Sequence, residues 1–184
     1  MANNTGGNCT GGEAPSDNGY NLSSDTSCLF TASTSLQNTD PKLDPAGLHN
    51  NGGPTQTIAL QPDSPAVDQI PVGSKCPATD QRGVTRPQGP NCDSGAFEMT
   101  AADGLTVMIH VVKSFFLAKS LQTSLDQQLQ TVLADLRAHQ TTQACQGLTS
   151  FINSVQTQSG SGLTTTQATQ LLKEAAVIHT RLGC

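Results

Sequence analysis

"CPATDQRGVTRPQGPNCDSGAFE" (Cys76–Glu98) is the stretch on which the reading of the fold turns. Its two cysteines, two arginines, three glycines, three prolines and two aspartates fall within 23 positions. Asp80, Arg82, Arg86, Asp93 and Glu98 offer the parts of an arginine-assisted acid–base pair, such as cleaves polysaccharide. They equally offer ion pairs and turn-amide acceptors inside a cysteine-closed loop. The second reading is the expectation: a stapled plug with Cys76 bonded to Cys92. Calcium at Asp63, Asp68, Asp80 and Asp93 is the rival use of the acids. The chain lacks the D-x-[DN]-x-[DN]-G loop and the Gly-Asp nonapeptide repeat, so these aspartates are read as turn caps.

Outward from this stretch, the composition changes at about residue 100. All ten prolines lie between Pro15 and Pro90, and 12 of the 17 glycines precede residue 100. Residues 1–99 carry ten acids and four bases, whereas residues 100–184 carry four acids and five bases. Two domains follow, 1–99 and 100–184, joined at "MTAADG" (Met99–Gly104). Apolar residues amount to 35%, below the roughly 45–50% of average domains, so both cores are expected to be small. Net charge is -5 and Trp is absent. With no basic stripe to neutralise phosphates and little to stack bases, nucleic-acid binding is excluded. The longest apolar run, "VMIHVV" (Val107–Val112), is too short to span a bilayer. No basic and apolar leader opens the chain.

The second domain reads as helices. Leu105, Met108, Ile109, Val112, Phe115 and Phe116 form one stripe, and Leu121, Leu125, Leu129, Val132, Leu133 and Leu136 a second. Ala144, Leu148, Phe151, Ile152 and Val155 make a third. Gly160 and Gly162 break the chain, and Thr164 with Gln167 forms a capping box. Ala168, Leu171, Leu172, Ala175, Ile178 and Leu182 follow on one face. Short loops between single-striped helices predict an antiparallel bundle of about four helices. The first domain has no helical period. Its short apolar pieces, Tyr20–Leu22, Thr57–Leu60, Ala66–Ile70 and Ala96–Met99, are read as strands between Asn-Gly, Gly-Gly and Ser-Pro turns.

Six cysteines in a Ser/Thr/Asn-rich chain point to an oxidising compartment. Of the 15 possible pairings, the one within units is expected: Cys9–Cys28, Cys76–Cys92 and Cys145–Cys184. In the third, Cys145 opens the third helix and Cys184 ends the fourth, so an antiparallel hairpin brings them together. Zinc would want closely spaced Cys or His pairs. His49, His110, His139 and His179 are scattered instead, and His110 and His179, near the apolar stripes, read as structural. Neither metal nor cofactor is expected. No Gly-x-Ser-x-Gly occurs, and the disulfides leave no Cys/His nucleophile pair, so no catalytic residue is assigned. Asn3, Asn8 and Asn21 head glycosylation sequons, which are acceptors only in a suitable host.

"NGGPTQTIALQPDSPAVDQI" followed by the opening stretch resembles the C-terminal end of bacterial right-handed parallel β-helix proteins, the choice-of-anchor Q domain group. Four ordered motifs carry the likeness. They are Asn51, Gly52 and Gly53 in "NGGPT", Asp68 closing "SPAVD", Asp80, Arg82 and Gly83 in "DQRG", and Gly95, Phe97 and Glu98 in "GAFE". Ile58 stands where the family often has a His. The resemblance implies terminal β-helix coils and a cap over residues 1–99, truncated at Met1, with upstream coils of the same protein as intramolecular partner. It also implies a bacterial extracellular or surface location and non-enzymatic capping, spacing or docking. The alternative is a carbohydrate- or cell-wall-binding module of a polysaccharide-active or adhesin protein, with a polysaccharide or cell-surface partner.

Overall fold

The computed structural model describes residues 4–9, 16–73 and 75–184. The sequon at Asn3 and residues 10–12 of "GGNCTGG" lie outside these. The chain divides into two compact units. The first comprises Met1–Leu43, Asn50–Leu60 and Ser64–Glu98, and the second Asp44–His49, Gln61–Asp63 and Met99–Cys184. The second unit thus recruits two short pieces from before residue 100, which a shift in composition does not reveal.

The first unit corrects the expected fold class. Among the described residues it contains no sheet and no coil of a β-helix, only the isolated bridges Leu22–Leu36, Leu43–Leu60, Ile70–Cys92 and Thr79–Thr85. Two physical reasons are visible. First, left-handed backbone interrupts two of the four expected strands, Tyr20–Leu22 and Ala66–Ile70: Tyr20 has φ 60° and Asp68 φ 55°, and a strand cannot run through such a residue. Second, side-chain carboxylates take the amides that a ladder would use. Asp17 accepts from the N–H groups of Gly19, Thr31 and Ala32 and from the Ser35 hydroxyl. Asp25 accepts from the amides of Asn8 and Ser27 and the hydroxyls of Ser23 and Ser27. The result is a stack of turns around a small core of Leu22, Cys28, Ala59, Leu60, Ala66, Cys92 and Phe97. Disulfides Cys9–Cys28 and Cys76–Cys92 close it. A loop of about 15 residues closed in this way is worth roughly 3 kcal/mol on the chain-entropy model, a large contribution for so small a core.

The second unit is a four-helix bundle. Helices α1 (Ala101–Ser114), α2 (Lys119–Arg137), α3 (Thr141–Gln158) and α4 (Thr165–Leu182) pack in sequence order, and α4 returns to α1. Leu105, Met108 and Val112 of α1, Leu125, Leu129 and Val132 of α2, Leu148, Phe151 and Val155 of α3, and Leu171, Ala175 and Ile178 of α4 are almost wholly buried. These are the residues of the four stripes. At about 1.5–3 kcal/mol for each fully buried large apolar side chain, they account for most of the bundle's cohesion.

Thr164 and Gln167 form the expected capping box, and a second joins Thr100 and Asp103 at the start of α1. The first stripe ends early. Phe115 turns extended at ψ 133°, and Phe116 is fully exposed instead of continuing the buried face. Gly104 allows α1 to approach α4, since a Cβ there would lie 2.1 Å from Ile178 Cδ1. Cys145, one turn into α3, bonds to Cys184 two residues beyond α4, across a separation of 39. No described helix is long and apolar enough to cross a membrane.

Candidate functional site

The Cys76–Glu98 stretch folds around its charges. The side chain of Asp80 is fully buried. Its Oδ1 accepts from the amides of Arg82 (2.7 Å) and Val84 (3.0 Å), and its Oδ2 from Arg82 Nε and the Glu98 amide, each at 2.9 Å. Burial opposes its ionisation most strongly. The combined donation from Glu98, Val84 and Arg82 outweighs that and holds its carboxyl below the usual range. Arg82 also donates to the carbonyls of Glu98 (2.6 Å) and Asn51 (3.3 Å), and its guanidinium lies 3.7 Å from the centre of the Phe97 ring. Gly53 completes the contact: at φ 80°, a Cβ there would sit 2.7 Å from Arg82 Cα.

A second layer is built on Glu98. Oε2 accepts from Arg86 Nη1 and the Asp93 amide, and Oε1 from the Gln88 amide, all at 2.8 Å. Arg86 also donates to the carbonyls of Asp93 and Gly95. Asp93 accepts the Asp68 amide at 2.8 Å, and Asp68 accepts that of Asn91 at 3.3 Å. Asn51 donates through Nδ2 to the Thr57 carbonyl at 2.9 Å. Gly52, Gly83 and Gly95 have φ of 92°, 86° and 105°. The structure therefore gathers Asn51, Gly53, Asp68, Asp80, Arg82, Arg86, Asp93, Phe97 and Glu98 into one knot. Its carboxylates face N–H donors. A calcium ion needs oxygen lone pairs turned towards it, whereas those of Asp80 and Glu98 are occupied by amides and guanidinium groups.

A different group of side chains converges in the second unit, from residues that spacing alone left scattered. "DPAG" (Asp44–Gly47) makes a turn with the Gly47 amide on the Asp44 carbonyl at 2.9 Å, Pro45 presetting φ and Gly47 at φ 74°. The Asp44 carboxylate is buried, and its Oδ1 accepts the Ala46 amide at 2.9 Å. His110, on α1, places Nδ1 2.8 Å from Asp44 Oδ2 and 3.0 Å from Oδ1. His49 places Nδ1 2.8 Å from the Gly47 carbonyl, so this nitrogen is the donor, and its Nε2 lies 3.9 Å from Asp44 Oδ2. The two rings meet edge to face, centres 5.7 Å apart. Both imidazoles keep about a third of their surface in solvent, 32% for His49 and 27% for His110.

Ligand atoms of Asp44, His49 and His110 all lie within 4.8 Å of one another, the one such group among the described residues. His110 is thus hydrogen-bonded to Asp44. The signal for it in the sequence was the "DPAGLH" turn, which fixes Asp44 and His49 locally. His110 carried none, being 66 residues from Asp44. Comparison with protein-family models, curated proteins and solved structures returned no match.

Proposed function

We propose that this chain is a non-catalytic, disulfide-locked spacer and docking region of an exported surface protein. The observation that carries the reading is the use made of its charges. The acids and arginines that offered the parts for acid–base chemistry, Asp80, Arg82, Arg86, Asp93 and Glu98, bond to turn amides, carbonyls and one another. Acid–base work requires a carboxyl within reach of a substrate proton, and Asp80 and Glu98 are directed into the protein. Three disulfides fit an oxidising location, and a bacterial cell surface, with a protein of that surface as partner, belongs to the same proposal.

A second reading, a carbohydrate-binding module, has one observation in its favour. Tyr20, Thr34, Pro71, Val72, Gly73 and Lys75 line an open cleft in the first unit, with Lys75 Nζ 5.5 Å from the centre of the Tyr20 ring. An aromatic face beside a hydrogen-bonding cation suits a sugar ring. Depletion of the oxidised chain by insoluble polysaccharides and peptidoglycan separates the two. The expected result is no saturable depletion and no released sugar. Saturable depletion that Tyr20→Ala abolishes would overturn the spacer reading in favour of the module, and release of sugar would overturn the non-catalytic one.

A further inference from the structure

We infer that Asp44, His49 and His110 form a binding site for a divalent transition-metal ion of the zinc class. The proposal is independent of the surface role above and rests on how the three side chains are held. His49 Nδ1 is committed as donor to the Gly47 carbonyl at 2.8 Å. Its Nε2 is the nitrogen left over as a ligand, and it lies 3.9 Å from Asp44 Oδ2. That distance is too long for a hydrogen bond and close to what two ligands of one ion need. A cation bound between them would be ligated by both. Zinc bonds of about 2.0–2.2 Å in tetrahedral geometry place ligand atoms roughly 3.4 Å apart, so the gap closes by only a side-chain adjustment.

The outer contacts are those a metal site uses. A ligating histidine is oriented by the bond its other nitrogen makes, commonly to a backbone carbonyl, as Gly47 does here. Asp44 is fixed through Oδ1 by the Ala46 amide, leaving Oδ2 as the ligand. His110 supplies the third donor. Its Nδ1 now bonds to the Asp44 carboxylate, and ligation there puts the ring in the form with its N–H on Nε2. That nitrogen can take its proton from solvent, since the side chain is 27% exposed. The metal takes the place of the shared hydrogen, and any proton displaced from the ligands leaves to solvent. Three ligands leave the fourth tetrahedral position to water. Two imidazoles with one carboxylate favour zinc, cobalt or nickel over calcium or magnesium, which prefer all-oxygen sets. All three ligands belong to the second unit, where the ion would tie the 44–49 turn to α1.

The test uses the full oxidised chain, stripped with chelator and titrated calorimetrically with Zn²⁺, then with Co²⁺ followed by visible absorption, and with Ca²⁺. The expected result is one equivalent of Zn²⁺, a Co²⁺ spectrum of low coordination number, and Ca²⁺ at least a hundredfold weaker. His49→Ala and His110→Ala should each weaken Zn²⁺ by a hundredfold or more. His49 is partly exposed, so that variant keeps the fold, checked by far-UV circular dichroism. His139→Ala, at an exposed position outside the cluster, should bind as the parent does. The inference is overturned if the parent fails to bind Zn²⁺ below millimolar concentration, if Ca²⁺ competes equally, or if binding survives His49→Ala and His110→Ala unchanged.

Discussion

Replacing Glu98 by Ala removes the acceptor at the centre of the charged knot. Three donors lose their partner: the Arg86 guanidinium and the amides of Gln88 and Asp93, each now 2.8 Å from a Glu98 oxygen. The side chains of Glu98 and Arg86 are 0% and 2% exposed, so the arginine charge is left buried. Breaking a buried pair from one side is worth about 3–5 kcal/mol, and each orphaned buried amide about 1–3 kcal/mol. The losses overlap, because the vacated space admits water to the stranded donors. The expected net loss is about 4 kcal/mol, a large share of the roughly 5–15 kcal/mol that stabilises a typical domain.

Tyr20 is the single tyrosine in a chain without tryptophan, and it belongs to the first unit, so its fluorescence in urea reports on that unit. With a urea slope of about 1–2 kcal/mol/M, Glu98→Ala should lower the midpoint by roughly 2–4 M. Gln56→Ala, at an exposed position of the same unit, should stay within about 0.5 kcal/mol. A Glu98→Ala midpoint within about 0.5 M of the parent would refute the reasoning, since it would mean that Arg86 does not depend on this carboxylate.

Other perturbations read other parts of the structure. Asp17, Asp25 and Asp80 all have carboxyls held below the ordinary range, chiefly by the Ser35 hydroxyl for Asp17 and the Ser27 hydroxyl for Asp25. A depressed folded-state pKa contributes stability that is present above the unfolded value of about 3.9. The urea midpoint by Tyr20 fluorescence should therefore stay level at neutral pH and fall as pH drops below about 4; a midpoint constant down to pH 2.5 would contradict this. Gly53→Ala forces a left-handed φ of 80° on alanine and drives its Cβ to 2.7 Å from Arg82 Cα, so the same assay should show a loss of at least about 2 kcal/mol. Thr100→Ala removes one half of the α1 capping box and should lower bundle stability by about 1 kcal/mol in a far-UV dichroism melt. Replacing Cys145 and Cys184 with Ser opens a loop of separation 39 and should remove about 4 kcal/mol on the chain-entropy model, measured by the same melt.

The helical unit was legible because its information is local and periodic. Leu125, Leu129 and Val132 recur on one face, and Thr164 announces its cap three residues ahead of Gln167. The cysteine pairs were legible because each closes within a stretch of one composition. The first unit was not, and the strands expected at Tyr20–Leu22 and Ala66–Ile70 show why. Apolar residues between turn signals look alike whether their amides meet another strand or a carboxylate. Asp17 reaches amides up to 15 residues ahead of it, a distance at which no periodicity marks the partner. Tyr20 and Asp68 adopt left-handed φ that residue type alone does not demand. The ordered motifs from "NGGPT" to "GAFE" mark a succession of turns, and turns can be joined without strands between them. The Asp44, His49 and His110 cluster escaped for a related reason: two of its residues share a local turn, and the third arrives from α1.

Amide hydrogen exchange on the oxidised chain, resolved residue by residue, tests most directly whether carboxylates have replaced a sheet in the first unit. The expected result is protection concentrated at the amides of Ala32, Val84, Gln88, Asp93 and Glu98, which donate to Asp17, Asp80 and Glu98, and lost at Gln88 and Asp93 in Glu98→Ala. Protection alternating along Thr57–Leu60 and Ala66–Ile70, with Gln88 and Asp93 exchanging freely in the parent, would contradict it and restore a stranded first unit.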